Sequence, residues 1–280
     1  MRGADSDSEE DSVARTPLVL DVLQAVAATL AADTGRARLE IVDAGGGTGG
    51  FAVPLASLGH SVTVIDTSPD SLAAAQRRAA EQNVPLRAIQ GEAADLATLA
   101  GEQSADLVLC HSVLEYVDSP PAAMAAIAAV LRPGGAVSVL TASAVAAVIH
   151  RALAGRFDEA RRLLTGIGPG AGGNGNGSPP DWSEPAASGT AGTGTAAGGR
   201  RPASTGPRRF TLAGVTSLIE QAGLRPGTAL GVRVFADLVP RVVADADPGA
   251  EHAQQGLELA VSAHPAFHDF AAQFHVLGHR

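Results

Sequence analysis

Short, largely apolar runs alternate with helix-like segments along the first half of the chain. The runs lie at residues 39–42, 61–65, 86–90, 106–110 and 136–140. Segments whose apolar residues recur at helical spacing lie before or between them, at about 15–32, 50–58, 71–82 and 120–131. Strands that alternate with helices at this pitch predict an α/β fold with a parallel, doubly wound sheet.

The second half of the chain continues the pattern with longer helical segments. Residues 141–164 and 212–222 are predicted to be helical, with Thr211 as the N-cap of the second helix and Gly223 at its end. A strand is expected within 229–238, a helix near 248–263 and a final strand within 273–280. These elements would complete the sheet.

Polar residues follow the predicted strands. Asp43, Asp66, Asp95 and His111 each lie at or just beyond the carboxyl end of a strand. Parallel α/β sheets bind their ligands at that edge. Four separate positions therefore converge on one expected site.

A glycine loop follows the first strand. Asp43 ends the strand, and five of the seven residues 44–50 are glycine. A strand, a glycine turn and a helix start allow backbone N–H groups to approach a nucleotide closely. The spacing fits both a dinucleotide fingerprint and the glycine loop of an S-adenosylmethionine site, and a turn without a ligand is the third interpretation.

Two acids would complete a nucleoside site. Asp66 lies 16 residues beyond the last glycine of the loop, where its carboxylate can accept hydrogen bonds from a ribose diol. Its alternative role is a helix cap. Asp95 can accept from an adenine amino group, or it is a solvated loop acid.

The composition excludes several classes of enzyme. All 20 basic residues are arginines, so a Schiff-base lysine and a P-loop lysine are both impossible. The single cysteine excludes an internal disulfide and a cysteine zinc cluster, and we expect a cytoplasmic protein. His264 and His268 are four residues apart, but Pro265 lies between them and a third ligand is lacking, so no metal is expected.

The composition also suggests how the chain is divided. Residues 1–14 are an acidic tail, predicted to be disordered and without the features of a signal peptide. Residues 15–165 form the predicted cofactor-binding core, 166–207 a flexible insertion with 13 of the 33 glycines, and 208–280 the completion of the fold.

Hydropathy and charge do not favour a membrane or nucleic acid as a partner. No apolar run reaches the length of a membrane span, and the formal charge of −9 does not favour binding of nucleic acid. The densest basic cluster is Arg200, Arg201, Arg208 and Arg209.

The motifs together resemble class I methyltransferases. The resemblance rests on residues 43–49, Asp66, the Asp95 loop, the strand at Asp106 and the sequence LRPGG at 131–135. It makes S-adenosylmethionine the favoured cofactor over a dinucleotide. It also implies a Rossmann-like fold of seven strands, mostly parallel, with an antiparallel last strand.

A closer resemblance is to the bacterial tRNA 5-carboxymethoxyuridine methyltransferase family. It covers about residues 15–165 and 208–280 and is carried by residues 111–117, 155–158 and 231–237 and by the ending from 258–259 through 275–276. That family implies transfer of a methyl group to the carboxylate of a modified wobble uridine in tRNA. The insertion of this chain is longer and richer in glycine than the family's, and the chain is more acidic than a tRNA enzyme needs.

The resemblance also implies a set of cofactor-binding residues. It assigns Arg15, Gly45, Gly46, Asp66, Ala93, Ala94 and His111 to the S-adenosylmethionine site. The glycine pattern and the strand ends add Asp43, Gly47 and Asp95. The spacing of Arg15 from the glycine loop differs from the family's by a few residues.

A carboxylate acceptor needs a cation rather than a general base, because it is already ionised at neutral pH. Arg233 is the first candidate and Arg209 the second, since guanidinium binds carboxylate through two hydrogen bonds; a surface ion pair is the alternative for each. Tyr116, the only tyrosine, would stack on a base or on adenine, or pack under the fourth strand.

Two other functions remain open from the sequence. One is an O- or N-methyltransferase acting on a small molecule, where a hydroxyl acceptor would make His111 the leading general base. The other is a protein that binds S-adenosylmethionine without catalysing methyl transfer.

Overall fold

A computed structural model describes residues 6–167, 207–239 and 249–280. Seven strands form one sheet: β1 Glu40–Ala44, β2 Ser61–Asp66, β3 Arg87–Gln90, β4 Ala105–His111, β5 Leu131–Ala142, β6 Arg225–Val232 and β7 Gln273–His279. Their order across the sheet is β3-β2-β1-β4-β5-β7-β6. Strands β1 to β5 are parallel, and β7 is antiparallel to both of its neighbours, as the sequence predicts.

Ten helices accompany the sheet in the described ranges. They are α1 Ser6–Thr34, α2 Ala52–Ser57, α3 Pro69–Glu81, α4 Leu96–Ala100, α5 Pro120–Val130, α6 Ala144–Leu153, α7 Phe157–Thr165, α8 Leu212–Gln221, α9 Ala250–Ser262 and α10 Pro265–His268. A short 3-10 turn, Ala93–Asp95, precedes α4.

The sheet is covered on both faces because side chains of its central strand point alternately to either side. In β4, Leu107 and Leu109 pack with residues of α1 and α2, whereas Val108 and Cys110 pack with residues of α5 and α8. Both sets are fully buried. The result is the three-layer arrangement of a doubly wound sheet, whose carboxyl edge is left free for a site.

The first helix differs from the sequence prediction. It begins at Ser6, so residues 6–14 are helical where the composition predicts a disordered tail. Acidic residue types at 7, 9, 10 and 11 favour the amino end of a helix, which explains how a segment with little apolar content continues it. The glycine-rich insertion cannot be compared in the same way, since residues 168–206 lie outside the described ranges.

The same helix also bears on the expectation of no membrane span. Its 18 residues Pro17–Thr34 are long and apolar enough, by composition, to cross a membrane, although two aspartates interrupt them. Val19, Leu23, Ala27 and Leu30 of this stretch are buried against the sheet. A core helix of a soluble protein can be equally long and apolar. Packing against the sheet accounts for the apolar residues of this one.

Two predicted boundaries are wrong in the second half. The segment predicted as one helix from 141 to 164 begins as the end of β5 and then forms α6 and α7. The hydroxyl of Ser143 accepts from the amide of Ala146 and so starts α6 one residue after the strand. The strand expected within 229–238 is β6, which ends at Val232 because Arg233 adopts a left-handed conformation with φ of 59°.

Candidate active site

The glycine loop is shaped by close contacts that exclude side chains. A Cβ at Gly45 would lie 2.4 Å from Cγ2 of Val113, and one at Gly46 would lie 2.6 Å from the carboxylate of Asp43. Gly45 also has a φ of 69°, which L-residues rarely adopt. Its amide donates a hydrogen bond to the carbonyl of Ile65 at 2.6 Å, tying the loop to β2. The loop is therefore built to bring backbone close to a ligand.

A cavity of about 210 Å³ opens over this loop. It is lined by Asp43, Gly45, Gly46, Gly47, Thr48, Gly50, Phe51, His111, Ser112 and Leu140. We call it the loop cavity. Five residues predicted to bind the cofactor, Asp43, Gly45, Gly46, Gly47 and His111, thus meet at one place.

Asp43 is the buried acid of the loop cavity. It is 2% exposed, and its Oδ2 has no hydrogen-bond partner among the described residues. Burial raises the pKa of Asp43 to about 7, with a smaller contribution from the carboxylate of Asp66. A cationic group placed in the cavity would restore its ionised form.

Asp66 lies at the end of β2 beside the loop. Its Oδ2 accepts a hydrogen bond from the amide of Gly47 at 2.9 Å, and its Oδ1 accepts from the amide of Ser68 at 2.8 Å. The cap of α3 is Ser68, whose hydroxyl accepts from the amide of Ser71, so Asp66 supports the capping residue rather than capping the helix itself. A carboxylate has about four lone-pair sites, so Asp66 keeps capacity to accept from a ribose diol.

The remaining predicted cofactor residues lie outside the lining of the loop cavity. Ala93, Ala94 and Asp95 form the 3-10 turn after β3, with Ala93 buried and the other two exposed. Arg15 belongs to α1, but only its backbone is within the described part of the structure. Their roles stay predictions.

His111 ends β4 and borders the loop cavity from below. It is 9% exposed, and its ring meets the ring of Phe51 edge-on with centroids 4.7 Å apart. Its Nε2 lies 2.8 Å from the hydroxyl of Ser138. Burial, and then the neighbouring His275, lower the pKa of His111 well below its usual value, so the ring is neutral at pH 7.

A second, larger cavity of about 480 Å³ adjoins the first, because Ser112 lines both. We call it the acceptor cavity. Four arginines line it, namely Arg151, Arg208, Arg209 and Arg233, with the acids Glu115 and Asp237 among its other lining residues. The three residues predicted to act on the acceptor, Arg233, Arg209 and Tyr116, all line this cavity.

Arg233 forms an ion pair, the alternative that the sequence left open, and its role towards the acceptor stays a prediction. Its guanidinium is bonded to the carboxylate of Asp237 four residues later, and its side chain is 11% exposed. The guanidinium is therefore largely covered, although Asp237 itself is an exposed residue. It faces a cavity in which a carboxylate could share the guanidinium.

Arg208 and Arg209 enter the acceptor cavity from the segment that precedes α8. Arg208 donates to the carbonyl of Val117 and, at 2.9 Å, to that of Asp118. It thereby ties this segment to the loop after β4. Arg209 is exposed at the cavity, and Tyr116, 68% exposed, is not packed under β4.

Glu115 is a functional candidate that the sequence prediction missed. It is 3% exposed, and its Oε1 accepts from the hydroxyl of Thr141 at 3.0 Å and from the amide of Ala142 at 2.7 Å. Burial raises the pKa of Glu115, although these hydrogen bonds and Arg209 oppose that shift. The sequence did offer one signal for Glu115 as a site residue, namely its position four residues after His111, just beyond a buried strand.

The described ranges contain no group of three or more histidine, cysteine, aspartate or glutamate side chains that could hold a metal ion. His264 instead accepts from the amide of Ala266 at 3.3 Å and caps α10. The Nε2 of His268 lies 3.2 Å from the carbonyl of Ser262.

Comparison with known proteins identifies the core. Residues 42–139 match the family described as a methyltransferase domain. The chain is also similar in fold to the magnesium protoporphyrin IX methyltransferase of Synechocystis PCC 6803, solved with bound SAH, with a TM-score of 0.53, 16% identity, and coverage of 93% of this chain and 83% of that one. Residues 42–139 are therefore a methyltransferase domain. The predictions of a methyltransferase and of S-adenosylmethionine as its cofactor are confirmed by this family match.

Curated relatives of the methyltransferase domain act on different substrates. The tRNA 5-carboxymethoxyuridine methyltransferase of Escherichia coli K12 is 36% identical over 129 residues, covering 45% of this chain and 49% of the relative. The ubiquinone biosynthesis O-methyltransferase of Methylobacterium nodulans is 38% identical over 97 residues, covering 35% and 38%. The chain thus spans about half, or less, of the curated relatives it matches.

Proposed function

We propose that this chain transfers a methyl group from S-adenosylmethionine to the carboxylate of an anionic acceptor, namely 5-carboxymethoxyuridine at the wobble position of tRNA. The observation that carries the proposal is the acceptor cavity, where four arginines meet two acids directly beside the loop cavity. In a chain with a formal charge of −9, this concentration of cations favours an anionic acceptor.

The residues of the loop cavity fit the cofactor. The closely approached glycines leave room for it. Oδ2 of Asp43 and Nδ1 of His111, which have no partner among the described residues, are acceptors suited to its ammonium group. Asp66 would hold the ribose diol. When bound, S-adenosylmethionine supplies a methyl group already activated by the sulfonium.

The chain's own contribution is then mainly alignment. An ionised carboxylate needs no proton removed, so the acceptor must be held in line with the methyl group at roughly 3–3.5 Å. Arg233 would bind the far carboxylate oxygen, and Arg209 would add a second cation at the cavity mouth. The ion pair with Asp237 would keep the guanidinium in place between turnovers.

Two features support a nucleic-acid acceptor. Tyr116 is exposed at the acceptor cavity, where a base can stack on its ring. The relative from Escherichia coli, which is similar over 129 residues, is named for 5-carboxymethoxyuridine in tRNA.

A small molecule with a hydroxyl group is the second candidate acceptor. It is favoured by Glu115, a buried carboxyl of raised pKa in the acceptor cavity, since a hydroxyl acceptor needs a general base. The similarity to ubiquinone biosynthesis O-methyltransferases points the same way.

Mass spectrometry of tRNA nucleosides from a strain lacking this gene, and from its parent, tests the proposal. We expect the methyl ester of 5-carboxymethoxyuridine to disappear in the deletion strain and to return with the wild-type gene or with Asp70→Ala, an exposed acid at the start of α3. Asp66→Ala should not restore it. An unchanged nucleoside profile would refute the tRNA acceptor and favour the small molecule.

A further inference from the structure

Three buried polar side chains form a hydrogen-bonded row across neighbouring strands, and the row begins at the loop cavity. The Nε2 of His111 lies 2.8 Å from the hydroxyl of Ser138, and that hydroxyl lies 2.6 Å from the Nε2 of His275. Ser138 is fully buried and His275 is 1% exposed. Burying polar groups costs stability unless they are paired, and nothing in the sheet itself requires them here.

The strand register aligns the three side chains. His111 of β4 and His275 of β7 are both registered with Leu140 of β5, and Ser138 lies two residues before Leu140. Residues two apart in a strand share a face, so all three point to one side of the sheet. Three neighbouring strands thus connect the loop cavity to the interior.

The serine hydroxyl forces the two imidazoles into opposite tautomers. It has one proton, so it can donate to only one of the two Nε2 atoms and must accept from the other. Burial lowers the pKa of His275 to about 4, and both rings are neutral at pH 7. One histidine therefore carries its proton on Nε2 and the other on Nδ1.

The surroundings of the two Nδ1 atoms decide which is which. Both are buried and lack a partner within the described residues. His111 shares the loop cavity with Asp43, whose free Oδ2 also calls for a cationic donor. On the other side, Gln273 precedes His275 by two residues on the same face of β7 and has a buried side-chain oxygen without a described partner, an acceptor suited to an N–H.

We propose that Ser138 and His275 are positioning residues that keep the proton of His111 on Nε2 and leave its Nδ1 as an acceptor for the ammonium group of the cofactor. The inference rests on the proposed function, because it assigns a cationic ligand to the loop cavity. Titratable groups around His111 are Asp43 from β1 and His275 from β7.

Nitrogen-15 NMR of the histidine rings in the full-length, ligand-free protein tests the tautomer directly. In the wild type we expect His111 to show a protonated Nε2 and an unprotonated Nδ1, assigned by the loss of its signals in His111→Asn. In His275→Phe the serine proton is free to move to His111, so the tautomer of His111 should reverse. His279→Gln, at the far end of the same strand, should leave it unchanged.

Binding of S-adenosylhomocysteine, measured by calorimetry, provides the second readout. We expect about tenfold weaker binding in Ser138→Ala and in His275→Phe, because an acceptor of the ligand is lost. Ser138→Thr, which keeps the hydroxyl, should restore both affinity and tautomer. Wild-type affinity is expected for His279→Gln.

The outcomes separate this inference from the proposed function. A wild-type His111 protonated on Nδ1, or an unchanged tautomer and affinity in His275→Phe, would overturn the positioning role while binding of S-adenosylhomocysteine stands. Failure of the wild type to bind S-adenosylhomocysteine would overturn the proposed function and, with it, the assigned acceptor role of Nδ1.

Discussion

The carboxylate of Glu258 accepts a hydrogen bond from the amide of Val234 at 2.8 Å, next to Arg233. The same carboxylate accepts from the amides of Phe235 and Ala236, both at 2.7 Å. Three backbone donors just after β6 are thus satisfied by one side chain of α9. Because Arg233 has a φ of 59°, this anchor holds a turn that would otherwise relax.

Glu258→Gln should therefore lower the free energy of unfolding by about 1–3 kcal/mol, since a charged acceptor of three backbone bonds becomes neutral. Urea unfolding measures the change. Glu220→Gln, an exposed glutamate on α8, should have little effect. Equal stability of the Glu258 variant and wild type would contradict the anchor.

Arg233→Ala should reduce kcat/KM for the acceptor by about 10- to 100-fold, because the charge-assisted hydrogen bonds to its carboxylate are lost. Affinity for S-adenosylhomocysteine should remain within about twofold of wild type, as Arg233 lines only the acceptor cavity of the two. Arg225→Ala, an exposed arginine at the start of β6, is the matched control. Loss of both properties together would indicate a folding role for Arg233.

Gly45→Ala should strongly weaken cofactor binding. The new Cβ would lie 2.4 Å from Val113, so the loop must move. Gly59→Ala is a matched control, because its φ of 93° is equally unsuited to alanine while no atom lies within 4 Å of the new Cβ. That variant should lose about 1–2 kcal/mol of stability and keep its affinity for S-adenosylhomocysteine, measured by calorimetry. Similar affinities for the two variants would contradict the close-approach argument.

Asp43 should make the ligand-free protein less stable as the pH rises from about 4 to 7. The pKa of Asp43 is raised from 3.8 to about 7 in the folded state, so over this interval the folded chain holds a proton that the unfolded chain has released. The stability that the protonated Asp43 contributes is fully present below the pKa of 3.8 in the unfolded chain. It is lost as the pH rises to the folded-state pKa of about 7. Urea titrations of wild type and Asp43→Asn measure it, and parallel pH profiles would refute it.

The affinity for S-adenosylhomocysteine should change with pH in the opposite sense. An ammonium group beside Asp43 favours the ionised carboxylate, so binding requires loss of the proton and should strengthen between about pH 5 and pH 7. Calorimetry in buffers of different ionisation enthalpy would detect the released proton. Asp43→Asn should bind more weakly and without this dependence; a flat wild-type profile would argue against ionisation of Asp43 on binding.

The sequence was sufficient for the core of the fold because its signals are local. Alternating apolar runs gave the parallel strands, and the density of glycine after Asp43 located the loop cavity. The start of α1 was missed because the acidic residues at its beginning resemble a disordered tail in composition. The end of β6 was missed because the left-handed residue there is an arginine, which carries no local signal for that conformation.

Contacts between site residues that are far apart in the sequence could not be predicted from local patterns. Ser138 and His275 are 137 residues apart and meet only because β7 is inserted next to β5. Arg151 and Glu115 come to one cavity from a helix and a loop whose relative placement follows from packing. Sequence spacing could propose Arg233 and Arg209 as candidates, but their common cavity required the structure.

The acceptor cavity is bordered by residues from both sides of the glycine-rich stretch. Leu163 lines it before residues 168–206, and Pro207 lines it immediately after them. The residues that line the loop cavity all lie between 43 and 140, well before that stretch. Substitutions at Leu163 or Pro207, on either side of this stretch, would therefore change the wall of the acceptor cavity and leave the wall of the loop cavity as it is, so the two cavities can be altered independently.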